Sequence, residues 1–227
     1  MTILLLHGAL GSKKQMEPMH NLLSDFFETI SINFSGHGGN PIPASEFSLE
    51  MFMDDVLKEI ERLQLKKVNI LGYSLGGYVG LNLALKFPHM INKLVTLSTK
   101  LKWDRDFAEK EAQKILPEFI EKNHPKLADK LKVTHHPEDW RVICKKTSDF
   151  FLDLGKNHLT EDELAKINHQ VLLSTGDRDE IATFPETYHI YKRMNNSQLL
   201  VMPNTGHQIE KMDYYSLFHD FKRFFEF

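Results

Sequence analysis

Ser74 sits between Gly72 and Gly76 in the run Val68-Asn69-Ile70-Leu71-Gly72-Tyr73-Ser74-Leu75-Gly76-Gly77, where an aliphatic stretch gives way to a glycine-flanked serine. Farther along, Asp177 and Asp179 lie in Gly176-Asp177-Arg178-Asp179, and His207 follows Gly206. A serine hydroxyl is a poor nucleophile near neutral pH. It needs an imidazole to take its proton, and the imidazole needs a carboxylate to fix its tautomer and stabilise its charged form. Serine, acid and histidine are all present in that chain order, with either aspartate able to serve. The oxyanion formed by attack needs preorganised N–H donors, each worth roughly 3–4 kcal/mol. The backbone amides of Leu75, directly after the serine, and of Ala9, in His7-Gly8-Ala9-Leu10-Gly11-Ser12, are the candidates.

Positioning these groups falls to the elements around them. Val68 to Leu71 reads as a strand, and Tyr78, Leu81, Leu83, Ala84 and Leu85 give the following helix an apolar face. A Cβ at Gly72 or Gly76 would collide with the neighbouring strand or helix. Thr2 to Leu6 is a continuous apolar run, as in a central parallel strand covered on both faces. The glycine-punctuated loop after it can bring backbone N–H groups close to a ligand. Met16 to Phe26 reads as a short helix, and Thr29 to Phe34 alternates like an edge strand. Ser48 is the expected N-cap of a helix through Leu63, with Phe52, Val56, Leu57, Ile60 and Leu63 at helical spacing. Ile91 to Ser98, Gln170 to Thr175 and Gln198 to Met202 give three more strands. A helix from Glu186 to Met194 is expected between the last two, and a closing one from about Met212 carries Tyr215, Phe218, Phe221 and Phe225. Strands alternating with helices predict an α/β fold with a doubly wound, mainly parallel sheet of about six strands.

From Lys102 to Lys166 the strand signal vanishes. Helical pattern carries Trp103, Phe107, Ile115, Leu116, Phe119 and Ile120, then Trp140, Ile143, Cys144, Thr147, Phe151 and Leu154. The stretch is too long for a loop, so residues 102–166 are expected to form a helical lid inserted in a core made of 1–101 and 167–227. An insertion after this strand lies at the carboxyl end of the sheet, where open α/β sheets bind ligands. Trp103, Phe107, Trp140 and Phe151 are therefore expected to line an apolar substrate pocket over Ser74. His135 and His136 diverge and lack a carboxylate or cysteine at ligand spacing, so they read as a solvated pair and no metal is expected. Cys144, on the apolar stripe, reads as core, and His37, in a glycine-rich turn, as structural.

The composition narrows the partners. With 28 Lys and Arg against 31 Asp and Glu, interspersed, the net charge of -3 leaves no basic footprint for nucleic acid or anionic membrane. No apolar run approaches the roughly 18 residues that a bilayer span needs. The single cysteine forms no intramolecular disulfide, and the sequence enters an apolar strand without a signal-like lead, so a cytoplasmic location is expected. A small molecule is the expected partner, without a cofactor; the oligomeric state is left open.

Together, His7-Gly8, Ser35-Gly36-His37-Gly38, Gly72-Tyr73-Ser74-Leu75-Gly76, Gly176-Asp177-Arg178-Asp179 and Gly206-His207 make the sequence resemble the α/β-hydrolase superfamily over almost the whole chain outside the insertion. The resemblance implies a Ser-Asp-His triad in which the second acid, Asp179, is the member paired with His207. It also implies the hydrolase fold without its two usual leading antiparallel strands, which makes the Thr29–Phe34 strand an edge. The activity it points to is hydrolysis of small carboxylic esters through an acyl-enzyme on Ser74. Thioesterases, C–C bond hydrolases and the menaquinone-pathway synthase use the same triad; for the synthase, Arg105 and Arg141 are the lid residues that would meet substrate carboxylates. A low-turnover ligand receptor on a hydrolase fold is the reading from another class.

Overall fold

Two strands carry no polar face. β1 (Thr2–Leu6) and β3 (Val68–Tyr73) are buried at every residue, as aliphatic-rich strands covered on both sides must be. In a computed structural model, which describes residues 1–226, they lie side by side within a six-stranded sheet of order β2-β1-β3-β4-β5-β6. The other strands are β2 (Glu28–Ile32), β4 (Ile91–Leu97), β5 (Gln170–Gly176) and β6 (Ser197–Met202), and every neighbouring pair is parallel. β2 is the half-exposed edge that its alternating sequence predicts.

Period-two alternation splits the core into two layers. Leu4 and Leu6 face a layer built with α2 (Leu49–Arg62) and α3 (Leu75–Lys86), whereas Ile3 and Leu5 face α1 (Glu17–Leu23) and α10 (Tyr214–Glu226). Each fully buried aliphatic side chain contributes about 1.5–3 kcal/mol. Ser48 caps α2 by accepting a hydrogen bond from the Met51 amide at 3.2 Å. From β1 the chain moves outward to β2, then returns to β3 and proceeds the other way. The loops after β1 and β3 therefore diverge and open a crevice at the carboxyl end of the sheet.

Between β4 and β5 run α4 (Arg105–Lys114), α5 (Pro117–Asn123), α6 (Pro125–His135), α7 (Trp140–Leu154) and α8 (Glu161–Ala165). This segment does not pack only on itself: Ile143, Phe150, Leu154 and Leu164 join the layer of α2 and α3. A separate cluster holds Ile120, Leu131, Trp140 and Cys144, and burial pushes the Cys144 thiol up to about 12. α9 (Phe184–Tyr191) precedes β6 and starts two residues before the expected Glu186, because Pro185 suits its first turn. In α10 the buried stripe is Leu217, Phe221, Phe224 and Phe225, and Tyr215 is 72 % exposed, so the expected stripe holds only in part. Among the described residues, no helix is long and apolar enough to cross a membrane.

Candidate active site

The turn from β3 to α3 forces Ser74 into an unusual backbone conformation, φ 50° and ψ -113°, costly for a residue with a Cβ and characteristic of a held functional turn. Its surroundings admit nothing larger than glycine at the flanking sites. A Cβ on Gly76 would meet the Leu6 carbonyl of β1, and one on Gly72 would meet the Gly76–Gly77 backbone at the start of α3. The Ser74 amide donates to the Leu97 carbonyl at 2.9 Å, and Thr99 donates to the Ser74 carbonyl at 3.1 Å, which holds the strained turn from both sides.

Ser74 Oγ lies 3.2 Å from His207 Nε2. On the other side of the ring, His207 Nδ1 is 2.9 Å from Asp179 Oδ2 and 3.1 Å from Oδ1. That geometry places the proton on Nδ1 and the free lone pair of Nε2 toward the serine. Tyr73 fixes the backbone behind the imidazole by donating its hydroxyl to the His207 carbonyl at 3.0 Å. Burial alone would raise the Asp179 carboxyl, but His207 and the amides of Ile181 and Ala182 outweigh it and hold the group below its ordinary range. Asp177 points elsewhere and accepts from the Thr205 amide at 3.2 Å.

Leu75 is the first residue of α3, so its amide has no acceptor within the helix and stands at the positive end of the macrodipole. The loop after β1 closes in from the opposite side. A Cβ on Gly8 would lie 2.8 Å from the Tyr73 ring and 3.3 Å from Ser74 Cβ, a proximity that only glycine permits. Ala9 and Leu75 both line a cavity of about 190 Å³ together with Ser74 and His207. Its remaining wall is mostly apolar and includes Leu10, Trp103, Phe107, Ile115, Phe151 and Leu154.

Three of the four expected pocket residues thus face Ser74, and Trp140 does not. Trp140 packs with Ile120, Leu131 and Cys144 at the far end of α7. Arg105 and Arg141 are also absent from the cavity wall: they are 80 % and 51 % exposed and pair with Glu109 and Glu121. Residues that the sequence reading did not place in the pocket include Lys100, Gln15, Glu111 and Tyr78, the last read only as part of the apolar face of the helix after Ser74; all are on the wall. The signal for Glu111 was available, because it lies four residues from both Phe107 and Ile115.

His135 departs most from expectation. His136 is exposed, but His135 is fully buried. Its Nδ1 accepts from the Gly38 amide at 3.1 Å, so Nε2 carries the proton and donates to the Leu10 carbonyl at 3.1 Å. Leu10 itself has φ 56°, so the imidazole secures a strained residue next to Ala9. Two further buried rings stack behind it. His37 lies 5.7 Å from His135 and 5.4 Å from His7, centroid to centroid. His7 Nε2 accepts from the Phe34 amide at 3.1 Å, and Nδ1 donates to the Gly8 carbonyl at 2.7 Å. Burial, in each case the largest cause, lowers the pKa of all three, that of His7 to about 4. Among the described residues, no group of three His, Cys, Asp or Glu side chains is placed to hold a metal ion.

The fold agrees with comparison to known proteins. The model of the alpha/beta hydrolase fold family matches residues 2–137, and the chain belongs to that family. A pimeloyl-[acyl-carrier protein] methyl ester esterase of Neisseria meningitidis is 25 % identical over 224 residues, covering 90 % of this chain and 70 % of that protein. The human serine hydrolase-like protein is 32 % identical over 101 residues, 44 % of this chain and 50 % of that one. Several curated relatives are matched over half of their length or less. NosK of Streptomyces actuosus superposes with a TM-score of 0.87 at 17 % identity, covering 99 % of this chain and 97 % of that one, a likeness of fold.

Proposed function

We propose that the protein hydrolyses small carboxylic esters through an acyl-enzyme on Ser74. The observation that carries this reading is the continuous Ser74–His207–Asp179 relay, 3.2 Å and 2.9 Å long, opening into an apolar cavity. His207 Nε2 removes the serine proton as Oγ attacks the acyl carbon, while Asp179 holds Nδ1–H and stabilises the imidazolium. The oxyanion is received by the amides of Leu75 and Ala9, each contributing roughly 3–4 kcal/mol. The imidazolium then returns the proton to the departing alcohol, and water, deprotonated by the same nitrogen, releases the acid. The helices between β4 and β5 act as a cap, with Trp103, Phe107 and Phe151 excluding water from an acyl or aromatic group. The exposed positions of Arg105 and Arg141 remove the motive for a dicarboxylate substrate held by those residues.

The test is fluorophosphonate labelling of Ser74 with a panel of p-nitrophenyl esters of short and medium acyl chain. Labelling that disappears in Ser74→Ala, with turnover of the short esters, is expected. Full turnover by Ser74→Ala would refute the nucleophile, and labelling without turnover of any ester would refute the substrate class in favour of a receptor or another bond.

A further inference from the structure

Phe107 and Glu111 on α4 and Ile115 at its C-cap follow one another at four-residue spacing, and so the first two share one face of the helix that Ile115 extends. All three line the cavity above Ser74. Ala108 and Ala112 on the adjoining face are buried, so Glu111 is a lone acid in an apolar stripe. Its side chain is 12 % exposed. Oε1 accepts from Lys114 Nζ at 2.6 Å, and that lysine is 43 % exposed at the rim. Among the described residues, no hydrogen bond reaches Oε2. An i,i+3 pair with a half-exposed lysine contributes under roughly 1 kcal/mol, and it leaves Oε2 open to whatever occupies the cavity.

The other polar groups of the wall each have at least one partner. The Lys100 ammonium pairs with Glu186 and lies 4.1 Å from the centroid of the Phe107 ring. Glu186 also accepts from the amides of Leu101 and Lys102. The Tyr78 hydroxyl accepts from the Leu159 amide at 2.7 Å, and Gln15 Oε1 accepts from the Gly8 amide at 3.2 Å. Among the described residues the Tyr78 O–H has no acceptor, so apart from the reacting pair the wall keeps an open donor there and, on Glu111, an open carboxylate oxygen that can only accept.

We infer that Glu111 is a specificity-determining residue and that the substrate carries a hydrogen-bond donor, a hydroxyl or amine, at the end of the apolar group that lies beneath α4. This rests on the ester reading of Ser74 and refines it: the cap pocket is built for a donor-ended group rather than for a plain alkyl chain. Lys114 neutralises the charge of Glu111 but leaves its second oxygen to the ligand.

The experiment compares two matched ester series, one varied on the acyl side and one on the alcohol side, each ended by methyl, hydroxymethyl, aminomethyl or carboxylate. The readout is the ratio of kcat/KM for a donor-ended ester to that for its methyl-ended partner, measured within each protein so that a partly misfolded variant does not distort it. In the wild type one series should show a ratio of at least roughly tenfold, the scale of a hydrogen bond to a charged group. Glu111→Leu should bring that ratio to one or below, and Glu111→Gln, which keeps a carbonyl acceptor, should retain part of the hydroxyl preference. An unchanged ratio in Glu111→Leu, or no donor preference in either series, would overturn the inference while leaving the ester activity standing. Preference for the carboxylate-ended ester would also overturn it and assign the wall to Lys100. No turnover of any ester, methyl-ended included, would remove the ester reading and this inference with it.

Discussion

Acidification should weaken the fold through His7 well before most carboxylates are protonated. The ordinary histidine value is 6.5, and burial lowers that of folded His7 to about 4. The unfolded chain therefore takes up this proton first. The contribution to stability is complete above about pH 6.5 and is lost as the pH falls from there toward about 4. At about pH 5.5, one tenth of the unfolded His7 is neutral while nearly all of the folded His7 still is, a loss of about 1.4 kcal/mol. The full displacement of about 2.5 in pKa corresponds to about 3.4 kcal/mol. His37 and His135 are lowered by burial in the same direction, so the figure for His7 is a lower bound for the cluster. Urea denaturation at about pH 8 and about pH 5.5 measures it, on the wild type and on His7→Gln, which offers an acceptor to the Phe34 amide without titrating in this range. The wild type should lose about 1.4 kcal/mol more than the variant between the two conditions, since His37 and His135 are present in both. Equal losses in the two proteins would refute the reasoning, because they would show that His7 is not held neutral by its surroundings.

Asp179→Asn should lower kcat on esters by roughly 10³–10⁴-fold with little change in KM, since an amide can stabilise the wrong imidazole tautomer, whereas Asp177→Asn should stay within a few-fold in the same steady-state assay. Gly76→Ala would place a Cβ against the Leu6 carbonyl, and chemical denaturation should show a loss of roughly 2–4 kcal/mol, because main chain cannot yield as a side chain can. Phe151→Ala should shift the preferred acyl length upward in an ester panel. Trp140→Phe should leave that preference unchanged and be visible only as a small change in thermal midpoint, because Trp140 packs away from the cavity.

The central strands were legible because burial on both faces demands an aliphatic run, unbroken from Ile3 to Leu6 in β1 and interrupted only by Asn69 between Val68 and Leu71 in β3. The serine turn was legible because steric exclusion leaves glycine at 72 and 76. The choice between Asp177 and Asp179 needed the family resemblance, since composition of the loop serves either. Trp140 shows where helical periodicity stops helping. Eleven residues separate it from Phe151, which is close to three full turns, so the two share a phase on α7. They are nevertheless about 16 Å apart along the axis, and phase carries no information about that distance. Arg105 and Arg141 likewise gave no sequence signal for their direction. The doubled histidine was misread for a related reason: neighbours on a helix diverge by about 100°, so His135 could turn inward at the end of α6 while His136 stayed in solvent. The partners that buried it, Leu10 and Gly38, are 125 and 97 positions away in the chain.

That one imidazole also sets a rule for recombining such proteins. Exchanging the segment between β4 and β5 is an obvious way to build chimaeras with new substrate preferences, because both junctions lie at strand ends. Here the graft would sever a seam. A donor segment without a histidine at the position of His135 would strand the Leu10 carbonyl and the Gly38 amide, one on the loop that faces Ser74 and one on the loop after β2. Two unpaired buried groups cost about 1–3 kcal/mol each, and the harm would fall on turnover as well as on selectivity. A workable junction therefore keeps the end of α6 with the host and exchanges α4, α5 and α7 around it.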